Sequence, residues 1–206
     1  MLDGYNNSKA VDMVSTKETY TIEGSGKNLA VIDFGIKNTI LQTLKDKGLK
    51  ITVFPSNTSV SKILSSNPQG LFLSNGPGNP KDYPEIIENV KALLEKLPTM
   101  GNGLGHQFIA LALGGDTEKL AFGHRGSNHP VKDVYKDRSY ITSQNHGYVV
   151  SKVPKDMEIT HISLNDQTIE GLRHETKPIL SVQFQPEAYP GTEDTIDIFD
   201  EFIELL

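Results

Sequence analysis

The chain of 206 residues contains no cysteine, which excludes disulfides, thiolate metal sites and any cysteine nucleophile. Compartment therefore cannot be read from redox chemistry. No apolar run approaches the roughly 20 residues that span a bilayer. The N-terminus, Met1-Leu2-Asp3-Gly4-Tyr5-Asn6-Asn7, lacks the charged-then-apolar order of a signal peptide. A cytoplasmic location is the expectation. Basic residues are in deficit, with 20 Lys and Arg against 26 Asp and Glu for a formal net charge of -6, and no basic stripe tracks a phosphate backbone. Neither nucleic acid nor membrane is an expected partner. Internal repeats and low-complexity tracts are missing as well.

The length suits one α/β domain with a full core. Residues 1–27 are polar and read as a leader or connector rather than core, with Ser25-Gly26 before the first apolar strand. The domain proper is expected over 28–206. Leu29 to Asp33 has the short, continuous apolar character of a buried parallel strand, and Ile36 to Lys47 follows with helical spacing and Gly48 as its stop. Lys50 to Phe54, a short helix at Val60 to Leu64, and Gly70 to Ser74 continue the alternation, which argues for a parallel sheet. A helix over about Tyr83 to Lys96 follows. After Gly114-Gly115 the pattern changes to short β-rich pieces, 119–122, 129–134, 139–143, 148–150, 158–164 and 168–172, expected to extend or flank the main sheet. Ile179 to Phe184 reads as another buried strand. Thr192 to Leu206 reads as a closing amphipathic helix with Thr192 as N-cap and Glu193 and Asp194 in its first turn; Ile196, Phe199, Ile203 and Leu206 share one face.

The centre of the chain is Met100-Gly101-Asn102-Gly103-Leu104-Gly105-His106-Gln107, an apolar segment that turns on glycines into the helical pattern Phe108 to Leu113. Such a strand-turn-helix suits a nucleophile elbow, where the following backbone N–H helps to form an oxyanion hole. The residue at the centre of this elbow is Gly103, which has no side chain to attack with.

Gly-x-x-Leu-Gly-His-Gln resembles the active-site turn of the class I (triad) glutamine amidotransferases, whose pattern has cysteine at the place of Gly103. Four more stretches sharpen the likeness: Leu73-Ser74-Asn75-Gly76-Pro77-Gly78, Phe122 to Val131, Ser143-Gln144-Asn145-His146-Gly147-Tyr148, and Gln183-Phe184-Gln185-Pro186-Glu187-Ala188. Together they are similar to the glutaminase domain of the carbamoyl phosphate synthetase small subunit, over roughly residues 11 to 206. The resemblance implies a three-layer, flavodoxin-like α/β fold with a mostly parallel central sheet. The partners it implies are L-glutamine and a large synthetase subunit, with no cofactor, no metal, and a place in pyrimidine or arginine biosynthesis. Val14 to Glu18 resembles the connector that follows the small subunit's N-terminal domain. That domain, expected to be absent here, contributes in the family to the synthetase interface and to part of the glutamine site.

The family's reaction is acyl transfer: a thiolate attacks the side-chain amide of glutamine, ammonia leaves, and water hydrolyses the thioester. The base and its orienting acid are implied to be the histidine and glutamate of a His-Pro-Glu turn, matched here by Gln185 and Glu187. A neutral amide hydrogen-bonds but carries no titratable nitrogen near pH 7, so Gln185 cannot shuttle the proton. The resemblance assigns Gly76 and Gly78 to the wall of the glutamine site, Leu104 to an oxyanion amide, Gln107 to the substrate, and Asn145, Gly147 and Tyr148 to its amino-acid end. Asn79, where aspartate is common, is expected to weaken its loop. His106 is expected to pack or hydrogen-bond. His124, Asn128, His129 and His146 lack the paired spacing of a zinc site, and Lys37, Lys45, Lys47 and Lys50 with Asp46 read as a solvated helix face. The leading expectation is a glutaminase-type domain that binds glutamine or serves structurally without hydrolysing it. Ser74, Thr99 and Ser143 are hydroxyls without an evident base beside them, and two alternatives stand beside the leading one: an active amidotransferase with another nucleophile or a hydrolase using Ser74 or Thr99, and a pure interaction module.

Overall fold

The computed structural model describes residues 9–187 and 191–206. The first eight residues of the expected leader, and Ala188 at the end of the last motif, lie outside the described residues. In chain order come α1 (Ala10–Val14), β1 (Tyr20–Ile22), β2 (Asn28–Asp33), α2 (Asn38–Asp46), β3 (Lys50–Pro55), α3 (Val60–Ser65) and β4 (Gly70–Leu73). A 3-10 turn at Pro80–Asp82 leads to α4 (Pro84–Leu94), β5 (Thr99–Asn102) and α5 (Leu104–Ala112). Then follow β6 (Asp116–Asp133), β7 (Arg138–Lys152), β8 (Met157–Ser163), β9 (Ile169–His174), β10 (Ile179–Val182) and α6 (Ile198–Glu204).

The strands form one sheet in the order β1-β3-β2-β4-β5-β10-β9-β7-β6-β8. Only the block β3-β2-β4-β5-β10 is parallel. β1 pairs antiparallel with β3, and β6 to β9 pair antiparallel throughout, with β8 also returning to β9 so that the four strands close on themselves. The mostly parallel sheet expected from the sequence is therefore corrected to a mixed one. Parallel neighbours need a long crossover, usually a helix; no helix lies between β6 and β9, so successive strands double back. The first four β-rich pieces expected after Gly115 merge in pairs into the long β6 and β7, while the last two stand as β8 and β9; β6 absorbs register shifts between Lys119 and His124 and between Gly126 and His129.

Alternation along the buried strands feeds a core on each side of the sheet. Ala30, Ile32, Leu71 and Leu73 pack on one face with Ile86, Val90 and Leu93 of α4 and Phe108 and Ile109 of α5. Leu29, Val31 and Phe72 meet Ile40, Leu41 and Leu44 of α2 and Phe199 and Phe202 of α6 on the other. Each fully buried Leu, Ile or Phe contributes about 1.5–3 kcal/mol, which fixes the three layers and the strand edges that carry the site.

Two ends differ from expectation. The stretch read as leader contributes to the fold: Val11 of α1 is fully buried in the first core, and β1 adds an edge strand beside β3. At the other end the helix begins at Ile198, not Thr192. The Thr192 hydroxyl donates to the Ile141 carbonyl at 2.8 Å and so is engaged by β7 rather than by a helix terminus. Phe199 is buried, and Ile196, Ile203 and Leu206 pack against the same core, as their shared face requires.

Candidate functional site

The elbow forms where the glycine pattern places it. Chain leaves β5, turns at Gly103 with φ 55° and ψ -108°, and enters α5 at Leu104. That backbone conformation is strained for any residue with a Cβ. Gly105 allows α5 to lie against β4, since a Cβ there would stand 2.1 Å from the Leu73 carbonyl oxygen. The Gly103 N–H donates to Val182 O at 2.9 Å and the Gly105 N–H to Ser74 O at 3.0 Å. Leu104, at the first helical position, has no intrahelical acceptor for its N–H, which leaves that donor for an oxyanion.

A cleft of about 590 Å³ opens over the elbow. It is lined by Gly76 and Gly78 from the loop after β4, Gly103, Leu104 and Gln107 from the elbow, Asn145, Gly147 and Tyr148 from β7, and Gln185. Of the residues matched to the family's triad and glutamine site, only Glu187 is not on the wall. Gln107 is 3% exposed, and its Nε2 donates to Tyr148 O and to Gln183 Oε1, both at 2.9 Å. Its own Oε1 is buried without a hydrogen-bond partner. Asn79 does not loosen its loop: its Oδ1 accepts from Lys81 N at 3.2 Å, capping the 3-10 turn.

The base position is built differently from sequence expectation. Gln185 pairs with the β7 backbone, its N–H donating to Ser143 O at 2.9 Å. Its Oε1 accepts from Lys37 Nζ at 3.1 Å, and the same ammonium lies 2.6 Å from Oε1 of the fully buried Glu187. Lys37 is thus corrected from a solvated helix face to a cleft residue. Asp33, 5% exposed, sets its direction: one carboxylate oxygen accepts from Gly35 N and Ile36 N at 2.8 Å each, and the other from Thr16 N at 2.7 Å. Lys47 and Lys50 do face outward, paired with Asp200 and Glu23.

Lys119 and Arg125 of β6 join Lys37 on the wall, and among the described residues no carboxylate lines the cleft. The sequence reading missed both β6 cations and also Asn75, Asn102 and Gln183. Asn75, Asn102, Arg125 and Gln183 lie within stretches quoted from the sequence but were given no role there, and Lys119 arrives through the register of β6 on β7, for which the sequence carries no local signal. The candidate hydroxyls stay away from the chemistry. Ser74 is buried, accepting from Phe34 N and donating to Asn75 O, and buried Thr99 donates to Leu97 O. Neither lines the cleft, nor does Ser143.

The histidines divide. His106 is fully buried on α5, its Nδ1 2.8 Å from Ser181 Oγ, and burial pushes its pKa down to about 3. It packs and hydrogen-bonds, as expected. Burial likewise lowers His146 to about 3. His124 is raised by its contact with Glu170, against burial and with help from Asp166; Glu170 is itself raised by burial.

With this geometry in place, comparison with known proteins is direct. The family described as glutamine amidotransferase class-I matches residues 30–205. The carbamoyl phosphate synthase small chain of Clostridium perfringens is 52% identical over 203 residues, 98% of this chain and 58% of that protein. The carbamoyl phosphate synthase pyrimidine-specific small chain of Bacillus subtilis is 50% identical over 197 residues, 95% of this chain and 54% of that protein. The chain therefore spans little more than half the length of these curated relatives. Among solved structures, a putative GMP synthase protein from Thermoplasma acidophilum superposes with a TM-score of 0.77 at 24% identity, covering 89% of this chain and 95% of that one. A glutamine amidotransferase from Thermotoga maritima gives 0.63 at 14% identity, covering 86% and 81%. These two likenesses bear on the fold. No helix among the described residues is long and apolar enough to cross a membrane.

Proposed function

The chain belongs to the class I glutamine amidotransferases, and from that premise we propose that it is a glutaminase-type domain, of the carbamoyl phosphate synthase small-chain kind, that binds L-glutamine without hydrolysing it. The observation that carries the reading is the contrast within one cleft. Gly76, Gly78, Leu104, Gln107, Asn145, Gly147 and Tyr148, the residues matched to the family's glutamine site, all line the cleft, and the Leu104 N–H at the first helical position has no intrahelical acceptor. The reacting groups are missing: Gly103 offers no nucleophile, and Gln185 is an amide held by Lys37. The three wall cations suit an amino acid's α-carboxylate.

In this reading residues 28–206 are the functional domain, and a large synthetase subunit that uses ammonia is its partner, within carbamoyl phosphate supply for pyrimidine or arginine biosynthesis. An open 590 Å³ cleft speaks against an interaction module with a collapsed pocket, and the internal bonding of Ser74 and Thr99 against a substitute hydroxyl nucleophile. Calorimetric titration with L-glutamine, with D-glutamine and L-glutamate as controls and ammonia release assayed in parallel, tests the proposal. Saturable, L-selective binding without ammonia is the expected result. No binding at millimolar glutamine by the folded chain, or steady ammonia release, overturns it.

A further inference from the structure

Beside the β7 wall of the cleft, which His146 itself lines, four side chains converge: His124 of β6, Gln144 and His146 of β7, and Glu170 of β9. Their bonding fixes the ring protons. His124 Nε2 lies 2.7 Å from Asp166 Oδ2, and a carboxylate only accepts, so Nε2 carries a hydrogen and, in the neutral ring, Nδ1 is a lone pair. His146 Nδ1 lies 3.0 Å from the Tyr148 carbonyl oxygen; by the same argument its Nε2 is a lone pair. That Nε2 is 2.9 Å from Gln144 Oε1, acceptor against acceptor.

Exchanging the two ends of the Gln144 amide does not relieve the conflict. Its Nε2 donates to Glu170 Oε2 at 2.8 Å and to Thr142 Oγ1 at 3.2 Å, so an exchange sets an amide oxygen against the carboxylate. Moving the hydrogen of His146 to Nε2 only shifts the conflict to Tyr148. Glu170 is fully buried; its Oε1 and His124 Nδ1 are both without a hydrogen-bond partner. Those two atoms are 3.5 Å apart, and His146 Nε2 is 3.9 Å from the same Oε1. The ligand atoms of His124, His146 and Glu170 all lie within 4.8 Å of one another.

Lone pairs facing one another in a buried space repel, and a proton or a metal ion between them removes the conflict; the ligand atoms of two imidazoles and a carboxylate, all within 4.8 Å of one another, suit the metal ion. We infer that His124 Nδ1, His146 Nε2 and Glu170 Oε1 form a binding site for one divalent transition-metal ion of the zinc type, with Gln144 Oε1 beside the fourth position. Two imidazoles and a carboxylate are a zinc donor set, with bonds of about 2.0–2.2 Å, so small side-chain rotations close the present separations. Both rings donate their other N–H to a carboxylate or a backbone carbonyl, the outer-shell arrangement that orients metal-ligating histidines. The ion would tie β6 and β7 to β9 directly beside Asn145, Gly147 and Tyr148. Sequence spacing argued against a metal because His124 and His146 are far apart in the chain and Glu170 belongs to no histidine-containing motif; only the closure of β9 on β7 and β8 brings the three together.

The test is equilibrium dialysis of the full chain against Zn²⁺ with elemental analysis, and Co²⁺ titration followed by visible absorption. One bound equivalent and a ligand-field spectrum of low coordination number are expected. Glu170→Gln and His124→Gln should each lose at least tenfold in affinity, and Asp166→Asn, at the partly exposed outer shell, roughly 10–100-fold, with unchanged circular dichroism. Metal uptake no greater than a buffer control overturns the inference, as does uptake that survives Glu170→Gln undiminished. So does nuclear magnetic resonance showing His124 doubly protonated in the presence of excess Zn²⁺, since a proton is then the occupant.

Discussion

Substituting Gly103 by cysteine tests both the geometry of the elbow and the reading of the site. At φ 55° and ψ -108° a residue with a Cβ sits in a region that costs about 1–3 kcal/mol. The new Cβ would meet Asn75 Cβ at 3.3 Å, with Asn75 Cα at 3.5 Å and Gln183 O at 3.9 Å, so the neighbour gives by a few tenths of an ångström and no backbone is displaced. Loss of glycine's freedom in the unfolded chain returns about 0.4–1 kcal/mol. The net expectation for Gly103→Cys is a loss of about 1–2 kcal/mol, read as a fall of roughly 2–8 °C in the melting temperature for a domain of this size. The thiol would stand at the start of α5, where a helix terminus favours the thiolate. Ammonia release should nevertheless stay at background, because Gln185 cannot act as base. Adding Gln185→His should raise release at least about 10²-fold over either single change, since nucleophile and base act as a unit. If Gly103→Cys stabilises the chain, the strain argument fails. If it releases ammonia as fast as the double variant, another group, Lys37 being the nearest candidate, serves as base and the account of the site is refuted.

Other outcomes follow from the same contacts. Lys37→Met leaves the buried Glu187 carboxylate without its ammonium at 2.6 Å; because Lys37 is partly exposed, the expected loss is about 2–3 kcal/mol rather than the full value for a buried pair. Glu187→Gln, which leaves only a neutral amide, should cost about 1 kcal/mol, and urea unfolding of the two variants shows the order. Stability should also fall on acidification through His106. Its folded pKa of about 3 lies below the ordinary 6.5, so the unfolded chain binds a proton that the folded one refuses. The contribution is complete above pH 6.5 and is lost as pH falls from 6.5 towards 3, roughly 2 kcal/mol between pH 7 and pH 5. Urea midpoints at those two pH values measure it, and His106→Leu should flatten the difference by about that amount.

The sequence by itself determined the β-α alternation through α5, because buried parallel strands and amphipathic helices carry their period in consecutive residues. It determined the elbow as well: glycines at 101, 103 and 105 mark a tight turn and a close helix approach whatever the partners are. Most of the cleft wall was legible through the family resemblance, which singled out Gly76, Gly78, Leu104, Gln107, Asn145, Gly147, Tyr148 and Gln185 one by one, and all of them line the cleft. Tertiary structure decided what depends on pairing across distance. Strand direction after Gly115 was not written in the apolar pattern, because alternation fixes which face a residue takes and not which way its neighbour runs. Lys37 read as a solvated lysine because its partners, Gln185 and Glu187, lie about 150 positions away. His124 and His146 face each other across the β6–β7 pair, but Glu170 joins them only because β9 closes on β7 and β8, and no spacing along one strand encodes that closure.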